Sequence, residues 1–317
     1  MSSQRRFKMS WFIGLLLFAA TIVSVSCRHD YASSSLPPPN QNLGNEEKPA
    51  CRGEATYPDS NSVVLIEEQM AFRRIKPMRN ETNVFDFFLL ETEVTNDMYA
   101  RYLRATGKTK GDFELVAAQE RLWKSKNYRS SSASPVYDFN NPALLWRGNI
   151  PPGGLGNYPV ALITIGDAKA FCEWLTLRYA HVGRFRLPTA DEWVFAAYGE
   201  SRNYPWGNVW NVLIPCVSSR NEIKKSPCPV GASTKDRTPD GIYDLWGNVR
   251  EYVTDLKFRS DTRFMGASFE RFAENGSHPF TPKNDYWGYV HNSESRMEDT
   301  GFRVALQLDS ASENPKK

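Results

Sequence analysis

The 317-residue chain carries 39 basic and 36 acidic side chains, a formal net charge of +3. That near-balance offers no broad positive field and excludes nucleic acid as an expected partner. A hydrophobic content of 41% with 13% aromatics is enough for a sizeable core, and the length allows two domains of about 150 residues or one larger domain.

The chain opens with a basic head, Arg5, Arg6 and Lys8, followed by an apolar run from Trp11 to Val25 that stops at Ser26-Cys27. The run is too short to span comfortably as a mature helix and reads as an export signal. Its end resembles a bacterial lipoprotein signal, in which the cysteine is acylated after cleavage, although Ser24 stands where the strict pattern has Leu. Lipidation of Cys27 is therefore expected, with a plain cleaved signal or a short membrane anchor as the alternative. More than one acyl chain on Cys27 would hold the protein stably at a membrane surface, and the mature chain would be extracytoplasmic. Residues 28–60 contain SSSLPPPNQNLGNEEKP, which is rich in Ser, Pro and Asn and poor in bulky apolar residues, so they are expected to be a flexible tether.

Val63 to Ile66, Met70 to Met78 and Val84 to Leu90 read as strands. Thr95 then starts a helix in which Met98, Tyr99, Tyr102 and Leu103 share one face, and Gly107 stops it. Residues 108–158 look like an insertion, with a helix expected over Phe113 to Trp123 and then a polar run. Its aromatics Tyr137, Phe139, Trp146 and Tyr158 either form a recognition surface or pack the loop onto the domain. A second helix is expected over Asp167 to Ala180, with Ala168, Phe171, Cys172, Leu175 and Tyr179 as its buried stripe. Cys172 on that stripe reads as a small core residue. In RLPTADEWVFAAYG, Thr189 and Glu192 form a capping box and Gly199 ends the helix.

Pro239 to Val253, PDGIYDLWGNVREYV, organises the rest of the chain. Hard divalent cations take carboxylate and backbone carbonyl oxygens. Gly247 frees the backbone to turn its carbonyls inward, with Asp244 and Glu251 bracketing the bend. The alternative makes Asp240-Gly241 a simple turn, places Tyr243, Leu245 and Trp246 in the core, and pairs Glu251 with Arg250 or another cation.

ETEVTN, RLPTADEW, YPWGN, DLWGNVREYV, GAS and GFRVAL, in this order between Val63 and Leu308, resemble the signature blocks of the formylglycine-generating enzyme (sulfatase-modifying factor) family. The resemblance implies a single α+β domain over residues 61–308, a loop-rich formylglycine-generating-enzyme-type variant of the C-type lectin fold with structural calcium, and a polar tail over 309–317. It implies calcium at Asp244, Gly247, Val249 and Glu251, with Asp244 where the family usually has Asn. The YPWGN block resembles one whose Asn211 region can contribute to a second calcium, but its acidic partner is not identifiable and that site is not assigned.

Beyond Cys27, four cysteines remain, and Cys216 with Cys228 is the plausible bridge, free buried thiols being the alternative. The family's enzymes carry two copper-binding cysteines after the GGS block, where this chain has Arg271 and Gly276. Neither offers the sulfur that Cu(I) needs, so copper and oxidation of a substrate cysteine are not expected. An iron-dependent relative uses three histidines; here His278 and His291 with Asp285 or Glu294 are conceivable ligands, though surface histidines are the ordinary reading. The resemblance thus points to a non-catalytic, calcium-stabilised envelope lipoprotein, a scaffold or assembly component with an envelope protein partner, similar to lipoproteins of gliding motility and protein secretion. The alternatives are a module displaying Phe269 to Glu298 to a protein or glycan ligand, and a metal-dependent enzyme of altered chemistry. No small-molecule substrate is identified.

Overall fold

The structure is a computed structural model that describes residues 52–77, 84–110, 146–209, 216, 226–254, 263–269, 287–289 and 296–309. Cys27, residues 28–51 of the expected tether, the expected helix over 113–123, Tyr137, Phe139, Arg271, Gly276, His278 and His291 lie outside the described residues, and residues 55–59, expected in the tether, instead form a strand paired into the sheet.

Ten strands are described: β1 (Ala55–Asp59), β2 (Ser62–Leu65), β3 (Met70–Ile75), β4 (Phe87–Leu90), β5 (Gly183–Arg186), β6 (Arg250–Val253), β7 (Arg263–Met265), β8 (Trp287–Tyr289), β9 (Thr300–Gly301) and β10 (Ala305–Leu308). They form a six-stranded antiparallel sheet in the order β1-β2-β3-β4-β10-β5 and a four-stranded sheet in the order β8-β7-β6-β9. Only the β6–β9 pair is parallel among the described strands.

Strand β4 shows why the core has two halves. All four residues are buried, and side chains alternate between faces of a sheet. Phe88 and Leu90 pack with Tyr99, Phe171 and Leu175 on one side, while Phe87 and Leu89 pack with Trp193, Ile242 and Val253 on the other. Strand β10 repeats the alternation, Leu306 joining the first cluster and Ala305 the second. In β6, Tyr252 belongs to the first cluster and Val253 to the second, so this strand ties the turn that precedes it to both halves.

Helix α1 (Asn96–Thr106) is capped at Thr95, whose side chain accepts from the Met98 N–H, and closes at Gly107 with φ 65°. Helix α2 (Ile165–Arg178) starts and ends two residues earlier than the pattern suggests. The reason at its start is a capping box: Thr164 accepts from the Asp167 N–H at 3.0 Å and Asp167 accepts from the Thr164 N–H at 2.9 Å. Helix α3 (Ala190–Tyr198) has the expected Thr189–Glu192 box, and Glu192 also holds Arg186 through two bonds of 2.6 Å. Strand β3 ends at Ile75, two residues ahead of Pro77, which has no N–H for a ladder. Strand β4 begins at Phe87, later than Val84.

The C-terminal part of the 108–158 segment belongs to the fold. The N–H groups of Asn96 and Asp97, orphan donors at the start of α1, donate to the carbonyls of Tyr158 and Gly156, each at 2.9 Å. A Cβ on Gly156 would lie 2.2 Å from Asp97 Oδ2, so a larger residue here would displace the Asp97 carboxylate. Trp146 packs edge-on against Tyr99 at 6.2 Å, as expected of an aromatic that pins the loop to the domain.

Candidate functional site

The turn from Asp236 to Glu251 is bent at three places by left-handed backbone: Gly241 at φ 91°, Asp244 at 60° and Asn248 at 63°. Left-handed Asp and Asn are tolerated because their short polar side chains bond locally. Asp236, buried beneath the turn, accepts from the Trp246 N–H at 3.0 Å, and its carbonyl accepts from the Asp244 N–H at 3.0 Å. Burial, reinforced by the charge of Asp244, pushes the Asp236 carboxyl up to about 8.

Asp244 and Glu251, the two expected carboxylate ligands, are both buried, and a third carboxylate that sequence reasoning passed over stands with them. Glu93, from the ETEVTN block before α1, has no accessible surface, and neither of its side-chain oxygens has a hydrogen-bond donor. Its carboxyl adjoins that of Asp244, and burial followed by the charge of Asp244 pushes it well above the usual carboxylate range. Burial likewise raises the Asp244 carboxyl, against the pull of the Gly231 N–H, which donates to Asp244 Oδ2 at 2.5 Å, and of Arg303. The signal for Glu93 was available, since a glutamate stands in a family block, but only the fold brings it across to the turn.

Glu251 is held from two sides. Arg303 donates through Nε and Nη2 to its two oxygens at 2.6 Å each, and Trp193 Nε1 donates to Oε2 at 2.8 Å. Arg303 also donates to the carbonyls of Leu90, Glu91 and Tyr243. Burial disfavours its charge, but Glu251, Glu93 and Asp244 outweigh that and raise its pKa. The cation that pairs with Glu251 is therefore Arg303, from the GFRVAL block. Arg250, on the other side of β6, pairs with Asp299 and lies over the Phe264 ring at 4.0 Å.

The side chains gathered here are oxygen donors, the type that hard divalent cations take. Three buried carboxylates, Glu93, Asp244 and Glu251, face one buried guanidinium, which leaves two negative charges when all are ionised. Glu93 brings two oxygens with no donor, and oxygen-only ligation of this kind fits calcium. Among the described residues no group of three or more His, Cys, Asp or Glu side chains is placed to hold a metal ion. Glu251 has both oxygens engaged by Arg303 and Trp193, whereas those of Glu93 have no such partner.

Next to the turn, Ser268 is buried and donates to Asp299 Oδ2 at 3.0 Å. The Phe269 N–H donates to the Asn248 carbonyl at 2.8 Å, so the GAS block is docked on the same turn. Cys216 and Cys228 are joined by a disulfide with Cα atoms 5.8 Å apart. Cys172 is a free thiol buried in the core, where burial raises its pKa.

The sequence profile of the sulfatase-modifying factor enzyme 1-like domain (FGE-sulfatase) matches residues 52–308. The chain belongs to this family. Its relatives include catalysts and a non-catalyst by name. The formylglycine-generating enzyme of Streptomyces coelicolor is 30% identical over 199 residues, covering 53% of this chain and 57% of that protein. The inactive C-alpha-formylglycine-generating enzyme 2 of Mus musculus is 32% identical over 181 residues, covering 52% and 55%. The chain thus spans little more than half the length of these relatives. Among solved structures, Treponema denticola variable protein 1 is similar with a TM-score of 0.49 and 16% identity, over 75% of this chain and 95% of that one. Within this sulfatase-modifying factor domain, three described helices accompany two mostly antiparallel sheets.

Proposed function

We propose that this protein is a non-catalytic member of the sulfatase-modifying factor family, a scaffold or assembly component held at a bacterial envelope membrane through an acylated Cys27. Its domain is a variant of the C-type lectin fold, and its partner is an envelope protein, as for the gliding-motility and secretion lipoproteins that it resembles. The observation that carries the reading is chemical: the positions of the enzymes' two copper-binding cysteines hold Arg271 and Gly276. The described cysteines do not supply a substitute pair, because Cys172 lies in the core and Cys216 is bridged to Cys228.

Calcium belongs to this proposal as a structural ion. Asp244 and Glu93 would hold it, with Glu251 and the backbone carbonyls of Gly247 and Val249 as the further oxygens. When bound, the ion supplies positive charge to a buried acidic cluster. The chain's own part is to set the carboxylates on separate elements, with Asp236 fixing the turn from below and Arg303 fixing Glu251.

Two measurements test the function. The purified chain, supplied with Cu(I) and oxygen, is incubated with cysteine-containing sulfatase-type peptides and the products are weighed by mass spectrometry; conversion of cysteine to formylglycine above the protein-free control would overturn the non-catalytic reading. Cross-linking mass spectrometry on intact envelopes then asks for a partner. One recurrent envelope protein is expected, whereas none, with the chain open to external protease, favours the ligand-displaying alternative.

A further inference from the structure

Asn248 sits between the two turn residues that offer carbonyls, Gly247 and Val249, and is almost wholly buried. Its N–H donates to the Cys216 carbonyl at 2.9 Å, and its Oδ1 accepts from the Cys228 N–H at 2.8 Å. The two residues that it grips are those joined by the disulfide. Its own carbonyl accepts from the Phe269 N–H at 2.8 Å. One left-handed residue therefore binds three separate stretches of chain, and the disulfide fixes the spacing of two of them.

We propose that the Cys216–Cys228 disulfide is a redox-sensitive latch on the Asp244–Glu251 turn, acting through Asn248. Closed, it holds the Cys216 carbonyl and the Cys228 N–H at the spacing that Asn248 spans. Open, the 12-residue separation between the cysteines is no longer cross-linked, and chain entropy favours their moving apart. Asn248 then loses one or both of its clamps, and with them the left-handed kink that aims the neighbouring carbonyls.

The reductant is a dithiol, such as a thiol–disulfide oxidoreductase of the envelope. Cys228 is half-buried and Cys216 is buried, so the attacking thiolate reaches the Cys228 sulfur. The S–S bond breaks, Cys216 leaves as a thiolate and takes up a proton, and a mixed disulfide forms at Cys228. The second thiol of the reductant attacks that mixed disulfide and releases the Cys228 thiol. Two electrons and two protons pass to the cysteine pair, and the dithiol ends as a disulfide. The consequence for calcium rests on the cation site proposed above; the loosening of the turn does not.

The test compares the purified full chain oxidised and after reduction, alongside Cys216→Ser/Cys228→Ser and Asn248→Ala, by amide hydrogen exchange and by calcium titration. Reduction should speed exchange in the peptide covering residues 244–251 and weaken calcium binding roughly tenfold, the effect of loosening one or two ordinary hydrogen bonds. The double serine variant should match the reduced protein. In Asn248→Ala the turn should exchange fast already, and reduction should add little; Asn248→Asp, which keeps the acceptor oxygen, should retain the response to reduction. Faster exchange confined to residues 216–228, with 244–251 unchanged, would overturn the latch. Faster exchange at 244–251 in a chain that never binds calcium would support the latch and refute the calcium site.

Discussion

Replacing Glu93 by Gln tests the buried acidic cluster because its effect should change sign with calcium. Without the ion, the wild-type protein can bury Glu93 beside Asp244 only by taking up a proton or bearing like-charge repulsion, since burial and the Asp244 charge hold its carboxyl well above the usual range. A buried polar group left unsatisfied costs about 1–3 kcal/mol, and Gln removes an ionisable group while its amide can donate to Asp244. In EDTA the variant should gain about 2 kcal/mol, a rise of roughly 4–8 °C in Tm for a domain of this size. With calcium at about 100 times its Kd, the wild type should gain roughly 2.7 kcal/mol by mass action, and the variant, lacking a carboxylate ligand, should gain little. Differential scanning calorimetry of both proteins in EDTA and in calcium reads all four values. A variant that is less stable than wild type in EDTA, or that responds to calcium as fully as wild type, would refute the reasoning.

Glu251→Ala should destabilise by about 3–5 kcal/mol in EDTA, because it strands the buried Arg303 guanidinium and the Trp193 N–H, and by more in calcium, where it also removes a ligand oxygen; urea unfolding under both conditions checks this. Stability in EDTA should fall as pH rises from about 4 to 8: the Asp236 carboxyl is pushed up to about 8 in the folded state, so the unfolded chain releases its proton first and folding is penalised until the folded carboxyl ionises. The dependence contributed by this one group cannot exceed about 1.4 kcal/mol per pH unit, and Asp236→Asn should flatten it in denaturant titrations run across that range. Cys27→Ser should move the protein from the membrane to the soluble fraction on cell fractionation, and unchanged membrane retention would count against acylation.

What the sequence determined by itself was local or carried by contiguous blocks. Thr95 and Gly107 mark the ends of α1, and Thr189 with Glu192 starts α3, because capping depends on side chains reaching backbone three residues away. The family blocks set the start of the domain at residue 61 and missed β1 (Ala55–Asp59), whose exposed residues carry no apolar pattern to mark it as a strand. The tertiary structure alone decided which charges meet. Glu251 and Arg303 are 52 residues apart in the chain, and Glu93 precedes Asp244 by far more than any helix or strand period, so neither pairing leaves a local trace. Arg250 was the near neighbour offered for Glu251, but successive strand residues point to opposite faces, which sends Arg250 to Asp299 and leaves Glu251 to Arg303.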